Sequence, residues 1–423
     1  MIIHVVQPGD TIYSIADQYG KSADDIIREN GLRDPSNLVV GQTIVIAFPD
    51  QRYIVQEGDT LSGIAERFNT TVMELLRNNP FLLARENIYP GETIVIRFQD
   101  EKLRTITTFG YVFPYVAIDS LRLSLPYLTY ITIDSYTFNS AGELDNINDE
   151  EIIQLAKVYN TAPVMTVSSF GINIRIVQTL LNNTNLQNTF IEEIIDVVRV
   201  KGYFAVNIDF YYIFPNDRQA FVDFLTEVKS RLREINVPLF VSLTISNFEF
   251  ESGILNRGYD FEAIGEIADN ILIISHDYYG TSYCIPGYFT SFSKIQHLFG
   301  IIRDQIPHEK IIIELQTIGY YVQLPCIEGE SLASSISIGN AIDLAKQENA
   351  VISFDPTNLV SSFTFVNTNE YVVVFFDERI AEYYAQVIDI QGLQGLAIWN
   401  VMFQPIRILF LLNVLFDIYK FDL

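Results

Sequence analysis

Apolar residues run along this chain in two rhythms. Up to about residue 98 they form short β-branched runs flanking stretches of helical spacing, and the arrangement occurs twice, about 49 residues apart. Val5-Val6-Gln7-Pro8-Gly9-Asp10-Thr11-Ile12 matches Ile54-Val55-Gln56-Glu57-Gly58-Asp59-Thr60-Leu61. Gly41-Gln42-Thr43-Ile44-Val45-Ile46 likewise matches Gly91-Glu92-Thr93-Ile94-Val95-Ile96. In each unit a strand enters Gly-Asp-Thr, whose Asp or Thr can cap a helix, and Ile12, Ile15, Ala16 and Tyr19 follow at helical spacing. A second helix ends near Asn30 or Asn79, and a glycine turns the chain into a closing strand. The pattern predicts strand–helix–helix–strand over 2–48 and again over 52–98.

From about residue 103 the rhythm changes. Apolar runs at 106–112, 128–134, 162–168, 203–210, 238–244, 270–276, 310–316 and 394–399 alternate with helical segments. Eight such units predict an α/β fold, a closed (β/α)8 TIM barrel over 103–423. The interval of about 320–390 is longer than one helix and contains strand-like runs at 351–354 and 371–376, which predicts a small α+β insertion.

Charge narrows the partners. With 52 acidic and 27 basic residues, a formal net charge of −25, the surface repels phosphate backbones and anionic lipid, so nucleic acid is excluded; neutral glycans remain compatible. The apolar stretch Ile406–Phe416 is short and interrupted by Arg407 and Asn413, so no membrane span is expected. The N-terminus has no basic, apolar and small-residue succession of a conventional signal peptide, which predicts synthesis in the cytoplasm. Cys284 and Cys326 make neither a disulfide framework nor a metal cluster; no metal and no cofactor are expected.

The doubled unit resembles the LysM module, which binds N-acetylglucosamine-containing chains such as peptidoglycan or chitin. The resemblance implies a glycan groove between the two loops of each unit. Those loops hold Gly9, Asp10, Thr11 and Asn30, then Gly58, Asp59, Thr60 and Asn79. Helix capping is the other role open to Asp10 and Asp59.

The fourth strand of the predicted barrel reads Gly202-Tyr203-Phe204-Ala205-Val206-Asn207-Ile208-Asp209-Phe210-Tyr211-Tyr212. Val206, Ile208 and Phe210 share one parity and should face the helices; Asn207, Asp209 and Tyr211 should point into the barrel toward its C-terminal mouth. The stretch Gly202–Arg218 resembles the catalytic strand of LysM-bearing family 18 glycoside hydrolases of bacterial endospores, the cortex-lytic and germination N-acetylglucosaminidase type.

Laid on this chain, the family pattern Asp-Gly-x-Asp-x-Asp-x-Glu covers Phe204 to Tyr211. Asp209 keeps the last Asp, which the resemblance assigns to the substrate's acetamido group. Tyr211 stands where the family has its general-acid Glu. The resemblance also places Asn207, His276, Asp277 and Trp399 in the sugar pocket, with His276 replacing a tyrosine. Tyr321 and Val322 stand where the spore enzymes have Asp and Trp.

Such enzymes use the substrate's own acetamido oxygen as nucleophile while Glu protonates the leaving oxygen. A phenol, ordinarily titrating near 10, is a poorer donor. The sequence thus predicts a peptidoglycan-binding protein of the spore cortex, coat or surface with a degenerate, inactive barrel in a binding or structural role. An active N-acetylglucosaminidase is the first alternative. A structural, self-assembling spore-surface protein is the second, which leaves a homo-oligomer or spore-surface assembly open as partner.

Overall fold

The computed structural model describes residues 1–423 except 86, 212, 245–248, 251–252, 255–257, 275–298 and 328–330. Each N-terminal unit folds as two helices against a two-stranded antiparallel sheet. In the first, strand Ile2–Val5 pairs with Thr43–Ile46 around helices Ile12–Gln18 and Ala23–Asn30. In the second, Pro49–Ile54 pairs with Thr93–Phe98 around Leu61–Phe68 and Val72–Asn78.

The capping residue is the threonine. Thr11 accepts from the Ser14 amide and Thr60 from the Gly63 amide, both at 3.0 Å. Asp10 and Asp59 close the preceding turn instead, accepting from the Gln7 and Gln56 amides at 2.7 Å. Those backbone donors, joined by His4 and Tyr53 respectively, hold both carboxyls below the usual range.

Eight parallel strands then close a barrel: Thr105–Val112, Tyr130–Tyr136, Ala162–Ser168, Ala205–Asp209, Leu239–Thr244, Asn270–Ile274, Ile311–Gln316 and Gly395–Trp399. The eighth pairs with the first, from Gly395 against Thr107 to Ile398 against Gly110. Alternation sorts the side chains: Val206, Ile208 and Phe210 join the core between strands and helices, while Phe109, Tyr130, Val164, Phe240, Leu272 and Ala397 fill the interior. At the N-terminal end Phe421 of the C-terminal tail packs on Phe204 and Tyr130, with ring centroids 4.5 and 5.4 Å apart.

The insertion follows the seventh strand, on the mouth side. Its five-stranded antiparallel sheet runs in the order Ser334–Ser337, Ile318–Gln323, Asn369–Phe375, Val360–Asn367, Ser353–Asp355, joined by helix Ile338–Gln347. The sheet ends at Phe375, and helix Glu378–Gln391 leads into the eighth barrel strand. Cys326 is disulfide-bonded, a cross-link that the sequence reading did not anticipate; Cys284 lies outside the described residues.

Both N-terminal units are docked rather than tethered. The Ile352 amide donates to the Val40 carbonyl at 2.9 Å. A Cβ at Gly41 would lie 1.9 Å from the Ile352 oxygen, so only glycine permits this approach. Thr43 donates to the buried Glu378, which pairs with Arg407 at 2.9 Å. From the second unit the buried Arg77 donates to Asn413 at 2.8 Å and to the Pro126 carbonyl at 3.2 Å.

Candidate functional site

The C-terminal ends of the barrel strands bring Asp209, Tyr211 and Trp399 to one mouth. Asp209 and Trp399 end the fourth and eighth strands, paired with Ser168 and Gln316 on the neighbouring third and seventh. Asp209 is buried and accepts from Ser168 Oγ at 3.0 Å. Next to them, the Tyr211 amide donates to Ser169 Oγ at 2.8 Å, and its ring meets Phe170 edge-on at 5.7 Å.

Below this layer Asn207 is fully buried. Its amide and Ser242 Oγ hydrogen-bond at 3.0 Å, and it reaches Thr166 at 3.4 Å. Asn207, read from sequence as a glycan contact, ties the third, fourth and fifth strands together. Asn30 and Asn79 show the same economy. Each donates to two carbonyls, Ile26 and Val45 or Leu75 and Val95, and accepts from the amide of the closing strand, all at 2.8–2.9 Å. Both, expected from sequence to contact glycan, are buried cross-braces of their units.

Gly9 and Thr11, like Gly58 and Thr60, are exposed on the loops and accessible to a glycan. His276 and Asp277 lie outside the described residues. Tyr321 and Val322 belong to the first strand of the insertion, where Tyr321 packs against Tyr371 at 6.4 Å.

The sequence reading missed Tyr111. Burial raises its hydroxyl well above the usual phenol value, and the negative charges of Glu314, Asp209 and Asp134 push it the same way. A neutral hydroxyl therefore sits among three buried carboxylates from the second, fourth and seventh strands. Trp399 meets Tyr111 edge-on at 5.1 Å and Phe113 at 5.8 Å, and Phe113 stacks on the exposed Tyr115 at 5.4 Å. This aromatic row leads from solvent to the carboxylates. Its signal was present in the run Tyr111-Val112-Phe113-Pro114-Tyr115 at a strand end, as was that of Ser168-Ser169-Phe170-Gly171.

The chain is thus a closed parallel barrel with acidic side chains and an aromatic row at its mouth, preceded by two small βααβ units. The family comparisons agree: the LysM domain matches residues 4–47 and 53–97, and glycosyl hydrolases family 18 matches residues 107–403. The chain belongs to glycosyl hydrolases family 18.

It is 28% identical over 411 residues to a cortical fragment-lytic enzyme of Bacillus anthracis, covering 94% of each chain. To the cortical fragment-lytic enzyme of Bacillus subtilis it is 29% identical over 412 residues, covering 95% of each. Among solved structures, the spore cortex-lytic enzyme SleL of Bacillus megaterium superimposes with a TM-score of 0.81 at 25% identity, over 99% of this chain and 98% of that one.

Proposed function

We propose that this protein engages the N-acetylglucosamine-containing glycan of the spore cortex and cleaves it slowly at the barrel mouth. Similarity along nearly the whole chain to cortical fragment-lytic enzymes carries this reading and weighs against an inert barrel. The exposed loops at Gly9–Thr11 and Gly58–Thr60 hold the glycan strand. Asp209, with Ser168 donating to it, orients the acetamido group, and Trp399 packs against the reacting sugar.

In the substrate-assisted route the acetamido oxygen bonds to the anomeric carbon as the glycosidic C–O bond breaks and its oxygen takes a proton from the donor; water then attacks the anomeric carbon, releases the acetamido oxygen and returns a proton to the donor. Tyr211 occupies the position of the proton donor. General acid–base catalysis is worth about 10²–10⁴-fold, so a phenol there leaves a hydrolase attenuated on that scale. Tyr211 also favours a second reading, glycan binding without turnover. Mass spectrometry of cortex fragments after prolonged incubation separates the two. New reducing ends at N-acetylglucosamine support cleavage, and intact fragments that co-sediment with the protein support binding alone.

A further inference from the structure

A second site lies away from the carboxylates. Between both LysM units, the insertion helix and the segment after the eighth strand is a cavity of about 410 Å³. That volume falls within the roughly 300–1,000 Å³ usual for small-molecule sites. Arg28, Arg33, Phe81, Lys346, Phe403 and Arg407 are among the residues lining it.

Its charge is unusual for this chain. Three carboxylates reach the cavity and each meets a cation: Glu378 with Arg407 at 2.9 Å, Asp34 with Lys346 at 3.1 Å, Asp343 with Arg33 at 3.6 Å. Arg28 has no ion pair among the described residues; its guanidinium lies 5.2 Å from the centroid of the Phe81 ring. The cavity thus holds one more cation than anions, in a chain of formal charge −25. Arg33 and Asp343 are 67% and 48% exposed, so their long contact is easily exchanged for a ligand's carboxylate. Phe403 lines this cavity and also packs against the apolar cluster formed by the barrel interior and the insertion sheet.

We propose that this cavity is an accessory subsite for a carboxylate-bearing sugar of the glycan strand. Arg28 and Arg33 take the carboxylate, a geometry guanidinium groups match with two parallel N–H donors; the Phe81 ring carries Arg28, and Phe403 covers a face of the sugar. A single excess positive charge beside Asp34 and Asp343 suits a monoanion better than a phosphate. The inference rests on the cortex-glycan reading and adds a preference to it.

The test is calorimetric titration of the full-length protein with two peptide-free tetrasaccharides. One is all N-acetylglucosamine; the other alternates it with its 3-O-lactyl, carboxylate-bearing counterpart. Wild type is expected to favour the carboxylated chain by about tenfold, the scale of one charge-assisted contact. The Arg28→Gln/Arg33→Gln double variant should lose that preference and still bind the neutral chain as wild type does, which also shows that it is folded. Equal wild-type affinities for the two chains, or a double variant that keeps the preference, overturn the subsite and leave the cortex-glycan reading standing. Failure of wild type to bind either chain overturns both.

Discussion

Arg77, in the second LysM unit, donates to Asn413 Oδ1 in the last barrel helix at 2.8 Å, while Asn413 in turn donates to Asn78 at 2.8 Å. All three side chains are buried, and burial pulls the guanidinium below its usual value. Together with Thr43 and Glu378 at the first unit, this contact makes the modules and the barrel one packed body. Arg77→Ala strips the acceptors Asn413 Oδ1 and Pro126 O of their partner. A loss of about 2–4 kcal/mol in urea unfolding is expected. An unchanged midpoint would show that the second unit does not depend on this contact.

Lys102 gives the same interface a pH dependence. Burial, aided by Arg77, lowers its ammonium to about 8 from 10.5, against the opposing pull of Asp417, Glu74 and Asp100. The folded chain therefore binds this proton more weakly than the unfolded chain. From about pH 8 upward toward the ordinary lysine value, the unfolded state holds more protons and this residue's contribution to stability rises, by at most about 3 kcal/mol. Unfolding midpoints of wild type and Lys102→Met at pH 8 and 9.5 check it. Wild type should gain stability relative to the variant as the pH rises, and parallel curves would contradict the assignment.

Asn79→Ala separates bracing from binding. The change removes three hydrogen bonds of a buried side chain and should lower stability by roughly 1–3 kcal/mol. Peptidoglycan retention at 10 °C, where the variant is still folded, should match wild type. Thr60→Ala, which loses a helix cap, should cost about 1 kcal/mol. Weakened retention by folded Asn79→Ala would restore that asparagine as a glycan contact.

How far the sequence reached follows from what each signal measures. The eight barrel strands and the duplicated unit were legible because apolar periodicity reports burial, and burial decides these elements. The motif puts Asp209 and Trp399 at strand ends, where the structure has them. Tyr111, Glu314 and Asp134 lie on different strands, and only closure of the barrel gathers them, so no local pattern relates them. Asn30 and Asn79 were read as glycan contacts because a polar residue at a helix end looks available for a ligand until the backbone amide and carbonyls that need partners are counted. Gly41 and Gly91 occupy matching positions at φ +88° and +90°, yet only Gly41 meets another backbone, a difference that no repeat comparison can show.

Trp399→Ala should weaken oligosaccharide binding at the mouth by about tenfold, since the ring supplies both area and the end of the aromatic row. Tryptophan fluorescence offers a direct readout, because Trp399 is the sole tryptophan of the chain. A chitotetraose titration that leaves wild-type emission unchanged would place the sugar elsewhere.

The most direct measurement is the rate of reducing-end release from purified cortex fragments by wild type, Asp209→Asn and Tyr211→Glu at equal concentration. The expected result is slow release by wild type, none by Asp209→Asn, and faster release by Tyr211→Glu, because a carboxyl then replaces the phenol at the proposed donor position. No release by wild type, or equal release by wild type and Asp209→Asn, would contradict hydrolysis at this mouth.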